Sequence, residues 1–116
     1  MEARTKNALG EITISNEVIA TLAGISAIES YGIVGMAAKR AVDGLTELLG
    51  WDNLTRGVRV STKGNSVIID LFIIVKYGVS INTVAKNVIE RAKYSVENLT
   101  GMKVERVNIT VHGVRV

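Results

Sequence analysis

The chain has 116 residues, 47% of them hydrophobic, with 14 basic and 11 acidic side chains and a net charge of +3. That length supports one domain with its own core, and the apolar content excludes a disordered chain. Zero cysteines exclude disulfides and thiolate chemistry, and the single histidine, His112, excludes a His–His metal motif.

Residues 1–9 read as a flexible lead-in, and 10–116 as a single domain. The polar start Met1-Glu2-Ala3-Arg4-Thr5-Lys6 leads into no apolar run, so no secretory signal is expected. Glu11 to Ile14 reads as a short strand. Ser15 or Asn16 then caps a helix running to about Ile28, because either side chain accepts the orphan N–H groups of a first turn. In that helix Val18, Ile19, Leu22 and Ile25 make a broad apolar face, beside a stripe of small residues, Ala20, Ala23, Gly24 and Ala27. A helix apolar around most of its circumference is buried from more than one side. It is either a central helix of the monomer or, through its small stripe, a self-association surface.

Tyr31 to Met36 reads as a strand. Its Gly32-Ile33-Val34-Gly35 matches the GxxG pattern of an RNA-clamping loop only by letter, since that loop joins two helices and carries basic residues. Ala37 to Leu49 reads as an amphipathic helix with Ala38, Ala41, Val42, Leu45, Leu48 and Leu49 on one face, closed by Gly50, with Trp51 seating the corner.

Val58 to Lys63, Gly64-Asn65 and Ser66 to Tyr77 spell a hairpin with a two-residue loop. Its register sets Thr62 opposite Val67, Val60 opposite Ile69 and Val58 opposite Leu71, with Arg59 across from Asp70 as an ion pair and Ser61 across from Ile68. Ser80 or Asn82 opens a helix to about Leu99, ended by Gly101, with Val84, Ala85, Val88, Ile89, Ala92, Val96 and Leu99 facing inward. From Lys103 to about Val114 the chain alternates as a strand: Val107, Ile109 and Val111 one way, Arg106, Asn108, Thr110 and His112 the other. The order β-α-β-α-β-β-α-β predicts an α/β (α+β) domain, a mixed sheet with helices packed on it.

No P-loop, dinucleotide fingerprint, nucleophile elbow or metal-ligand spacing occurs, so no catalytic, cofactor-binding or metal-binding residue is assigned and no enzyme is expected. The strongest functional feature is the outward sheet face. There Arg59, Lys63, Lys76, Arg106 and His112 share a surface with Ile68, Phe72 and Ile74. It suits a protein partner, or single-stranded RNA if its bases stack; the remaining reading is that the first-half helices cover it.

The segments together resemble the alkaline shock protein family of Gram-positive bacteria, over about residues 10–116. The passages that carry the likeness are Gly10-Glu11-Ile12-Thr13-Ile14 with Val18-Ile19 and Ala23-Gly24; Tyr31-Gly32-Ile33-Val34-Gly35; Arg56-Gly57-Val58-Arg59-Val60; and Tyr77-Gly78-Val79 with the ending Val107-Asn108-Ile109-Thr110-Val111-His112-Gly113-Val114. The resemblance implies a non-enzymatic cytoplasmic scaffold without a cofactor, linked to the cell envelope and its stress response. It would self-associate as a homo-oligomer and dock a protein partner, membrane-anchored in some members, without inserting into lipid itself. The modest length and basic charge resemble the short, constitutive type. A small RNA-binding module is the alternative.

Overall fold

The Gly64-Asn65 turn sets the register of the sheet. Gly64 adopts φ 62°, the left-handed conformation that a tight hairpin turn demands, and both flanking strands are rich in β-branched residues. The computed structural model describes residues 2–37, 48–49 and 55–116. In chain order these form strands β1 (Glu2–Asn7) and β2 (Gly10–Ser15), helix α1 (Asn16–Ile28), strands β3 (Ile33–Ala37), β4 (Leu48–Leu49), β5 (Val58–Lys63) and β6 (Ser66–Lys76), helix α2 (Ile81–Thr100) and strand β7 (Lys103–Arg115).

β6 organises the sheet. β5 pairs antiparallel with its first half in the expected register, Val58 opposite Leu71 through Lys63 opposite Ser66. β3 continues along the same edge, antiparallel, with Met36 opposite Ile73 and Ile33 opposite Val75. β7 runs parallel along the whole of the other edge, from Ser66 opposite Lys103 to Lys76 opposite Arg115. The sheet is therefore mixed, as the element order predicts.

Because strand side chains alternate, β6 turns Val67, Ile69, Leu71, Ile73 and Val75 to one face, and all five are buried. α1 and α2 cover that face with Ile19, Ala20, Ala23 and Ala27 from one helix and Val84, Val88, Ala92 and Val96 from the other. Both helices start at the predicted serines: Ser15 accepts from the Val18 N–H at 3.3 Å, and Ser80 from the Thr83 N–H at 3.4 Å. Gly101, at φ 74°, closes α2 and donates its N–H to the Glu97 carbonyl. Arg91 of α2 reaches Glu29 of α1 at 3.9 Å.

Three expectations change. Within the expected lead-in, residues 2–7 form β1, which pairs with β2 from Glu2 opposite Ser15 to Asn7 opposite Gly10. Asn7 builds the turn, its side-chain oxygen accepting from the Leu9 and Gly10 N–H groups at 2.8 and 3.2 Å. Leu99 is 67% exposed rather than inward. The buried line of α2 advances by fours, from Val84 to Val96, and next meets Thr100, whose hydroxyl bonds the Val96 carbonyl. The helix expected over Ala37 to Leu49 is strand at both ends: Ala37 closes β3, and Leu48–Leu49 pair antiparallel with it. There the open edge of β3 takes a strand partner, so the backbone bonds across rather than along the chain. Residues 38–47, Gly50 and Trp51 lie outside the described residues.

Gly57 sits where β5 enters the sheet. A Cβ there would stand 2.7 Å from the Ala37 carbonyl oxygen and 2.9 Å from Met36 Cβ. A Gly57→Ala substitution is expected to lower unfolding free energy by about 1–3 kcal/mol through overpacking. Gly64→Ala, surrounded by open space, has only its φ to strain and should cost about 1 kcal/mol. Urea unfolding of both variants measures the difference; a smaller loss at Gly57 would contradict this packing.

Candidate interaction surfaces

The pairing of β5, β6 and β7 places the predicted face residues in rows. Lys63, Ser66 and Lys103 make the first row; Ser61, Ile68 and Arg106 the second; Arg59, Asp70 and Asn108 the third. Beyond them come Phe72 beside Thr110, then Ile74 beside Gly113, and Lys76 beside Arg115. Arg59, Lys63, Ile68, Phe72, Ile74, Lys76 and Arg106 thus share the face opposite the helices, as expected. His112 falls in a β7 bulge and reaches the same face, its ring edge-on to Phe72 with centroids 5.2 Å apart.

The face is divided, however. Phe72 is 8% exposed and Ile74 fully buried, and with Ala37 they form a second small core. These two are therefore packing residues rather than an open contact surface. The Arg59 guanidinium lies over the Phe72 ring at 5.7 Å, a cation–π geometry. This corrects the ion pair expected between Arg59 and Asp70: they are cross-strand neighbours, but the Asp70 carboxylate instead accepts from the Asn108 amide at 2.8 Å. Arg59, Lys63 and Arg106 are exposed, with Ile68 half-buried between them.

The small stripe of α1 is placed differently from a self-association surface. Ala20, Ala23, Gly24 and Ala27 are all buried inside the monomer, where small side chains let α1 lie close to its neighbours. Of the larger apolar residues, Ile19 is buried with the stripe, Leu22 and Ile25 pack half-buried against the core, and only Val18, 48% exposed, turns outward.

A surface that the sequence reading missed is the β1–β2 ribbon. Its anchor to the domain is Ala3, fully buried, with the Arg4 N–H bonded to the Gly64 carbonyl at 3.2 Å and the Thr5 hydroxyl 3.6 Å from Met102 Sδ. Its register puts Ala3, Thr5, Ile12 and Ile14 on one face and Glu2, Arg4, Lys6, Glu11 and Thr13 on the other. Toward the tip the apolar face is uncovered, with Ile12 62% and Leu9 98% exposed. The available signal was the alternation in Glu2–Asn7, which is one of charge and small residues rather than of hydrophobicity.

A groove of about 380 Å³ runs between the start of α1 and β5, lined by Asn16, Glu17, Ala20, Arg56 and Val58 among others. Asn16 donates to the Val60 carbonyl at 3.3 Å across it. No three His, Asp or Glu side chains gather as a metal site among the described residues.

If Arg59 packs on Phe72, the two should be energetically coupled. Phe72→Leu stays apolar but removes the ring. In a double-mutant cycle with Arg59→Ala, unfolding measurements are expected to give a coupling of about 0.5–1 kcal/mol; strictly additive losses would contradict the contact.

The family model of the alkaline shock protein 23 family, described as having a cell envelope-related function, matches residues 4–116. YloU of Bacillus subtilis (strain 168) is 52% identical over 117 residues, covering 100% of this chain and 96% of that protein. Spy1614 of Streptococcus pyogenes serotype M6 is 39% identical, covering 92% of this chain and 89% of that protein. YqhY of Bacillus subtilis is 35% identical and covers 92% and 78%. Among solved structures, the copper form of MamM CTD aligns with a TM-score of 0.53 at 13% identity, over 87% of this chain and 88% of that one. A zinc form of a MamM CTD variant aligns with a TM-score of 0.53 at 12% identity, over 86% and 87%. At such identities the likeness is one of fold. The chain belongs to the alkaline shock protein 23 family.

Proposed function

We propose that the chain is a non-enzymatic scaffold of the cell envelope that self-associates as a homo-oligomer and docks a protein partner, in some settings a membrane-anchored one. The family description supports the envelope setting. No described helix is long and apolar enough to cross a membrane, so recruitment through a partner fits what is seen.

The observation that carries self-association is the exposed apolar tip of the β1–β2 ribbon. An isolated two-stranded ribbon is marginal in water, and beyond the Ala3 anchor this one leaves Ile12 and Leu9 exposed, where further strands would extend its hydrophobic face. The Arg4 N–H points away from β2 to Gly64, so its cross-strand partner Thr13 turns its own backbone groups away from β1. The outer edge of β2 is thereby offered to another strand. Two copies pairing antiparallel about Ile12 set Glu11 opposite Thr13 and Ile12 against Ile12, completing four strands with a shared apolar face. The RNA-binding alternative has less behind it, because Phe72, the ring that would stack on a base, is buried.

Light scattering after size exclusion tests this. The wild type is expected to run above the 12.5 kDa of one chain. Ile12→Lys should raise the dissociation constant at least about tenfold while leaving circular dichroism unchanged, since burial of one isoleucine contributes roughly 1.5–3 kcal/mol. A monomeric wild type, or an unchanged mass for the variant, would contradict the reading.

A further inference from the structure

The open half of the sheet face carries an excess of positive charge. Lys63 and Lys103 flank Ser66 in one row, Arg106 stands beside Ile68 in the next, and Arg59 beside Asp70 in the third. Adjacent strands lie ~4.8 Å apart and alternate residues ~6.7 Å apart along them, so the four cations stand within a patch of about 1.0 by 1.3 nm. All four are exposed. Two carboxylates stand among them, Asp70, which accepts from the neutral Asn108 amide and keeps its charge, and Glu105, exposed in the β7 bulge between Lys103 and Arg106, so the cations outnumber the anions four to two. No ion pair ties down any of the four among the described residues: Arg59 packs on the Phe72 ring, and Lys63, Lys103 and Arg106 are exposed. The helical side differs, since there Lys86, Glu90, Lys93 and Glu97 alternate in sign along α2.

We infer that this patch adsorbs the chain directly onto an anionic lipid surface, apart from any self-association and without insertion. Charge complementarity selects the partner. A clustered set of four or more cations is the electrostatic footprint that acidic headgroups attract, each cation near the surface contributing about fivefold to partitioning. A protein hot spot would instead want a buried aromatic or aliphatic anchor, whereas the only apolar side chain in the three rows is half-buried Ile68. A single-stranded nucleic acid would want an accessible ring, and Phe72 is closed off beneath Arg59 and beside His112.

Co-sedimentation with vesicles tests the assignment. The chain is expected to bind vesicles of equal parts phosphatidylglycerol and phosphatidylcholine at low salt, to leave pure phosphatidylcholine unbound, and to be released as salt rises. Lys63→Ala should weaken binding about fivefold and the Lys63→Ala, Arg106→Ala double variant about 25-fold. Lys63→Arg should retain it, and Lys86→Ala on the helical side should have less effect than Lys63→Ala. Light scattering of the double variant should show an unchanged mass, which separates this surface from the ribbon. No binding to the anionic vesicles, equal binding to the neutral ones, equal loss from Lys86→Ala, or capture of poly(U) RNA in preference to the vesicles would each overturn the inference.

Discussion

Everything in this domain depends on β6 being satisfied along both edges. β7 runs beside it in parallel for its full length, while β5 and β3 share the opposite edge end to end. Bonded on both sides, the strand holds Val67, Ile69, Leu71, Ile73 and Val75 in one line beneath the helices, and their burial, at roughly 1.5–3 kcal/mol each, is large against the stability of a domain. The alternation that makes one face dry necessarily makes the other a separate surface. There the same strand carries Ser66, Ile68, Asp70 and Phe72 outward, and its neighbours add the cations.

Where the local rule and the tertiary environment agreed, the fold was legible residue by residue. The two-residue turn at Gly64 fixed the β5–β6 register, Ser15 and Ser80 capped the helices, and Gly101 ended α2. The misses have common physical causes. Apolar residues on α1 said that the helix was buried, but not which side: the small stripe went inward because the helix packs closely, leaving Val18 outside. β1 carries a single buried residue, Ala3, too little for hydrophobic periodicity to register. Arg59 and Asp70 were correctly opposed, yet the guanidinium is drawn to the Phe72 ring and the carboxylate to Asn108, partners that one strand pair alone does not reveal. Leu48 and Leu49 satisfied a helical stripe and an edge-strand pairing equally well, and the open edge of β3 decided between them.

The surfaces left over divide by chemistry. The ribbon is anchored at its base by Ala3 and presents an apolar tip, Leu9 and Ile12, that a second copy could cover. The sheet face presents an excess of cations along three paired strands, the charge for which an anionic surface was inferred. Neither depends on the other: in the function proposed, the ribbon would join copies and the cationic face would hold them at an anionic surface. The glycines shared with the family resemblance have structural work of their own. Gly57 admits the Ala37 carbonyl, and Gly32, at φ 86°, lies against Val84 with no room for a Cβ.

The central claim is that the chain acts by association through the ribbon while its core stays unchanged. Amide hydrogen exchange followed by mass spectrometry across a range of protein concentrations tests this most directly. The account predicts that peptides spanning Glu2–Ser15 become more protected as concentration rises, while those of β6 and of the small stripe of α1 exchange at constant rates. Ribbon exchange independent of concentration, or new protection at Ala20, Ala23 and Ala27 instead, would contradict it.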